Sequence, residues 1–177
     1  MAGRAQRSDE AGAKAEDASR ATAGARILVI EARYYEKISE ELLAGAVAEL
    51  NAAGAAFELI TVPGALEIPL ALAQAIKADL IGSDSAHARF DGCVALGCVI
   101  RGETSHYDIV CANAHHWLME LAVRHAIPLG NAILTVENEA QAMERARGAR
   151  RGKGADAVRA CLALIGLERV FADEDVP

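Results

Sequence analysis

Four short apolar runs, each followed by a stretch of helical character, constrain this 177-residue sequence more than any other feature. RILVIEA (26–32), AFELITV (56–62), CVALGCVI (93–100) and NAILTV (131–136) have strand length, and the first and third are apolar enough to be buried. Between the first two, Ile38, Leu42, Ala46, Val47 and Leu50 fall on one helical face, with Ser39 placed to cap the start and Gly54 to end it. Pro63-Gly64 breaks the chain before a second helix, and a third runs from about His106 to Ala126. Pro128 precedes the fourth run, and two further helical stretches follow, interrupted by Gly148, Gly152 and Gly154. Strands alternating with helices require parallel pairing through right-handed crossovers. The expected fold is an α/β three-layer sandwich with about four central strands.

Ligands of such sheets bind beyond the carboxyl ends of the strands, which directs attention to the loops after Ile30, Val62, Ile100 and Val136. RGETSH (101–106) lies between a buried strand and a long helix, where backbone N–H groups and the helix dipole favour an anion. Gly102 permits close approach, Thr104 adds a hydroxyl, and His106 could move a proton near neutral pH. The same residues also make an ordinary helix start capped by Thr104 or Ser105. VPGALEIP places Gly64 and Glu67 beyond the second strand, as a ring-reading edge or as a plain turn. Tyr34 and Tyr35 could stack on an aromatic ligand or pack against protein.

Composition removes several function classes. A net charge of −7 argues against general nucleic-acid binding, while leaving room for a local cationic pocket. No apolar run reaches the roughly 20 residues of a membrane span. The four cysteines form no CxxC pair and read as reduced, buried thiols, and no metal-ligand spacing is present. Residues 1–25 mix alanine with both charge signs and read as a disordered tail ahead of a domain over 26–171, with a short tail at 172–177. His87, His115, His116 and His125 read as exposed or packed side chains. The basic run Arg145, Arg147, Arg150, Arg151 and Lys153 reads as a solvated helix face. GARRGKG is not a P-loop, because its spacing is short and no strand leads into it.

VPGALEIP, ALGCVIRGETSHYDIVC and NAILTVENEAQAMERA with the trailing GKG together resemble the lumazine synthase family, over about 26–167. The resemblance implies a flavodoxin-like fold: a four-stranded parallel sheet flanked by helices. It also implies a cytoplasmic transferase without metal or cofactor. Such an enzyme condenses 5-amino-6-(D-ribitylamino)uracil with 3,4-dihydroxy-2-butanone 4-phosphate. By the same resemblance Tyr34 stacks on the pyrimidine, while Ala65, Leu66 and Glu67, with Cys98, Val99 and Ile100, line the pyrimidine-ribityl site. Glu103 and Thr104 cradle the phosphate, and His106 transfers protons. Asn131 and Lys153 complete the pyrimidine side and Arg145 binds the phosphate, with Asn131 and Arg145 coming from a neighbouring subunit. Leu66, Cys98 and Asn131 stand where Phe, Thr and an aromatic are frequent in the family, so the ring platform is less aromatic. The implied assembly is a homopentamer, with a decamer or sixty-subunit shell as alternatives. The implied partners are small-molecule substrates and riboflavin synthase, not nucleic acid or membrane.

Overall fold

The computed structural model describes residues 22, 24–82 and 87–172. The proposed tail over 1–25 and the tail over 172–177 therefore lie almost wholly outside the described residues, as does part of the connection after Gly82. The elements follow the expected alternation: β1 (Arg26–Ala32), α1 (Glu36–Ala53), β2 (Ala56–Val62), α2 (Glu67–Lys77), β3 (Gly92–Ile100), α3 (His106–Arg124), β4 (Leu129–Val136), α4 (Glu139–Ala146), a 3-10 turn (Ala149–Arg151) and α5 (Lys153–Ala172). The four strands pair in the order β2-β1-β3-β4, every pair parallel. This is the doubly covered α/β sandwich expected from the sequence.

Two apolar cores flank the sheet. On one face Ile27 and Val29 of β1 and Val94 and Leu96 of β3 pack with Ile38, Leu42 and Leu50 of α1, Ala142 of α4 and Val158, Cys161 and Ile165 of α5. On the other, Leu28 and Ile30 meet Ile68 and Leu72 of α2 and Ala114 and Leu118 of α3. Alternate residues of β1 thus feed opposite cores, as the two-residue period of a strand demands. The many alanines let α4 and α5 lie close to the sheet.

Local differences from the sequence reading have simple causes. Ser39 does not cap α1; that position belongs to Tyr35, and the buried Ser39 hydroxyl sits 3.1 Å from the Ala32 carbonyl and 3.0 Å from that of Tyr35. Gly54 does close α1, in the left-handed conformation at φ 65°. β2 is an edge strand with most residues exposed, Leu59 and Ile60 among them. β4 begins at Leu129 rather than Asn131, because pairing with β3 starts at Cys93 opposite Leu129. All four cysteines are free thiols, and burial pushes Cys161 up to about 12.

Candidate functional site

β1, β2 and β3 all end at the same edge of the sheet, and the helix that follows each starts there. Between these ends lies an open cleft of about 340 Å³. Its walls come from three places: Tyr34 and Tyr35 after β1, Gly64 to Glu67 between β2 and the start of α2, and Cys98 to Ile100 at the end of β3 running through Gly102 and Thr104 to His106 at the start of α3. Tyr107 and Val110 on the first turns of α3 complete the lining. Because α1, α2 and α3 all direct their amino ends toward this edge, their dipoles add at one place and favour an anion.

Tyr34 stands 72% exposed at the mouth of the cleft, a ring available for stacking. Tyr35 lies edge-on to it with centroids 4.9 Å apart, and burial raises the Tyr35 phenol above its ordinary value, so it stays protonated. The floor is firm: Cys98 is buried, and Ile68 of α2 approaches Gly97 where any side chain would crowd its Cδ1 at 3.3 Å. Burial pushes the Cys98 thiol up to about 12, which removes it as a nucleophile at neutral pH.

Arg101 fixes the loop after β3. Its backbone N–H donates to the Val136 carbonyl at 2.9 Å, tying the loop to the end of β4. Its guanidinium donates to Asp108 at 3.1 and 3.3 Å and to Glu137 at 3.1 Å, and lies 4.0 Å over the Tyr107 ring. Those carboxylates raise the guanidinium pKa further, so Arg101 is a permanently charged anchor already engaged by protein. Beyond it, the Thr104 hydroxyl accepts from the His106 N–H at 3.4 Å, and Ser105 occupies the cap position without a side-chain bond. Of the two capping candidates, Thr104 thus makes the contact. His106 is exposed and reaches the cleft.

Of the residues singled out from sequence, the fold gathers Tyr34, Ala65, Leu66, Glu67, Cys98, Val99, Ile100, Thr104 and His106 around one cleft. Glu103 does not contribute to its wall, and Asn131, Arg145 and Lys153 stand outside it. Asn131 is on the edge strand β4, exposed, accepting from the Ile133 N–H at 2.9 Å. Arg145 lies in the last turn of α4, exposed, with one guanidinium N–H donating to the Gln141 carbonyl at 3.1 Å. Lys153 opens α5 and pairs with Asp156 at 2.8 Å. α4 and α5 cover the face opposite α2 and α3. The lining role of Tyr107 escaped the sequence reading, although its place next to His106 in a helix's first turn was a usable signal.

The five side chains of the basic run are exposed, as expected, but they do not share one helix face. It spans the end of α4, the 3-10 turn and the start of α5, and Arg150 pairs with Glu49 of α1. Among the described residues no group of three or more His, Cys, Asp or Glu is arranged to hold a metal ion.

Comparison with known proteins adds an independent result. A family model described as 6,7-dimethyl-8-ribityllumazine synthase matches residues 24–169. Relatives bearing that name include one from Methylocella silvestris, 56% identical over 83% of this chain and 87% of the relative. Another from Azorhizobium caulinodans is 54% identical over 82% of this chain and 88% of the relative. A third from Methylobacterium radiotolerans is 53% identical over 85% and 86% respectively.

Proposed function

The chain belongs to the 6,7-dimethyl-8-ribityllumazine synthase family, and from that premise we propose how its cleft performs the reaction. It is a transferase of riboflavin biosynthesis, joining 5-amino-6-(D-ribitylamino)uracil to 3,4-dihydroxy-2-butanone 4-phosphate. The products are 6,7-dimethyl-8-ribityllumazine, phosphate and water. The observation that carries the assignment of roles is the gathering of a stacking ring, two backbone-rich strand ends and an imidazole at one sheet edge.

The pyrimidine lies against Tyr34, with its polar edge read by the backbone of Ala65 to Glu67 and of Cys98 to Ile100. The keto-phosphate places its anion at the amino end of α3, beside Glu103 and Thr104, where N–H groups and the helix dipole meet it. His106 stands between the two. It takes a proton from the attacking amine and returns one to the departing oxygen as the imine forms, then assists loss of phosphate. Holding amine and ketone in register replaces a bimolecular encounter, an effect worth up to roughly 7–11 kcal/mol in ideal cases.

Asn131, Arg145 and Lys153 complete the cleft of a neighbouring protomer. Their position outside the cleft of their own chain supports this reading, as does the exposure of Arg145 and Lys153 on the opposite face. An arginine fork opposite a helix amino end makes a two-sided phosphate clamp. The working unit is a homopentamer built from a domain over 26–171, acting in the cytoplasm. Among the described residues no helix is long and apolar enough to cross a membrane. Mixing both substrates with purified protein and following lumazine fluorescence, with mass photometry alongside, tests the proposal. Turnover by particles of five or a multiple of five is expected; substrate binding without turnover would refute it.

A further inference from the structure

Glu49 is an acidic residue inside α1 whose side chain is only 8% exposed, and it is held by two arginines far away in sequence. Its Oε2 accepts from Arg150 Nε at 2.8 Å and from Arg159 Nη1 at 2.8 Å, while Oε1 accepts from Arg150 Nη2 at 3.3 Å. Arg159 Nη1 also donates to the Arg150 carbonyl at 3.0 Å, and its Nη2 to Asp156 Oδ1 at 2.6 Å. The other oxygen of Asp156 takes Lys153 Nζ at 2.8 Å. One continuous relay therefore runs from a buried carboxylate to the ammonium of Lys153.

The backbone around this relay is docked just as closely. A side chain at Gly45 would meet the Ala149 carbonyl at 2.8 Å, and one at Gly154 would overlap the Leu42 carbonyl, so the turn and the start of α5 rest directly on the α1 backbone. Gly148 and Ala149 both take positive φ, 104° and 46°, and a non-glycine residue holds that conformation only where its surroundings enforce it. Glu49, fixing Arg150 next to Ala149, is such an enforcement.

We infer that Glu49 is a positioning residue for catalysis: through Arg150, Arg159 and Asp156 it sets the cationic segment from Arg150 to Lys153 that one protomer presents to its neighbour's cleft. The inference rests on the proposed trans contribution of that segment. Glu49 touches no substrate; it acts by holding the segment in one geometry before the neighbour arrives. The Arg150 bond also holds the Glu49 carboxyl below its ordinary value, so the clamp is ionised at neutral pH.

Kinetics of Glu49→Gln and Glu49→Met test this, the second keeping an unbranched apolar side chain should the amide be poorly tolerated. Both are expected to raise KM for the pyrimidine, which Lys153 meets, about tenfold with kcat within about twofold, the signature of lost prepositioning. A purely structural role would lower the amount of active enzyme while leaving KM in place, and that result in both variants would overturn the inference. Mixed rings then locate the effect. Glu49→Gln chains keep a sound His106, and His106→Ala chains keep a sound cationic segment, so rings assembled from both should exceed the mean kcat/KM of the parents. Rings of Arg145→Ala with His106→Ala serve as the control. A gain in the control but none with Glu49→Gln would place Glu49 on its own chain's cleft and refute the inference. No gain in the control would refute the trans reading itself, and the inference would fall with it.

Discussion

Replacing Arg145 with alanine removes an exposed guanidinium whose one bond among the described residues is to the Gln141 carbonyl at 3.1 Å. Among the described residues no carboxylate pairs with it, so its remaining N–H donors are available to a phosphate. Its neighbour Ala146 carries the packing of α4 against the core, and the thermal midpoint should therefore stay in place. A hydrogen bond to a charged group contributes about 1.5–3 kcal/mol. At about 1.4 kcal/mol per tenfold, KM for the keto-phosphate should rise roughly 10- to 150-fold. KM for the pyrimidine should move far less, since that ring lies against Tyr34 and the strand ends. Arg145→Lys keeps the charge and loses the fork, so it should fall between wild type and alanine. Initial rates of lumazine formation, with keto-phosphate varied at saturating pyrimidine, give the numbers. An unchanged dependence on keto-phosphate in Arg145→Ala would refute the clamp.

Other outcomes follow from the same geometry. His106→Ala should lower kcat by about 10²-fold while substrate binding persists, because it removes proton transfer and leaves the cradle; single-turnover rates that match wild type would exclude that role. Ile68 is fully buried beneath the loop from Ala65 to Glu67, so Ile68→Ala should cost about 2–5 kcal/mol in denaturant unfolding and raise KM for the pyrimidine. The acid limb of stability should depend on Glu49 and Asp156. Both carboxyls are held below their ordinary values of 4.5 and 3.8 by arginine and lysine partners, so their contribution is present above those values and lost as pH falls through the lower folded ones. Urea midpoints between about pH 6 and about pH 3 should fall less steeply in Glu49→Gln than in wild type; parallel curves would contradict the ion-pair account.

Much of the fold was readable because it depends on local pattern. β1 and β3 are buried on both faces, and their continuous apolar runs announce it. RGETSH stood out for the same reason, a polar loop squeezed between a buried strand and a helix. What escaped depends on distance or on other chains. Ser39 looks like a cap, yet the Ala32 and Tyr35 carbonyls draw its hydroxyl inward, and no local rule ranks those options. Arg150 is exposed, as it reads, but its ion pair with Glu49 was hidden because that partner is 101 residues away. β2 reads as an ordinary strand, and only the sheet order makes it an exposed edge. Asn131, Arg145 and Lys153 gained meaning only through resemblance, since among the described residues they stand outside the cleft wall.

The most direct measurement is a crystal structure of the protein with an unreactive ribitylaminopyrimidine and inorganic phosphate. The account predicts the ring over Tyr34 and the phosphate at the amino end of α3, touched by the neighbouring protomer's Arg145 and within reach of His106. Phosphate bound at that helix end with every neighbouring guanidinium turned elsewhere would contradict it.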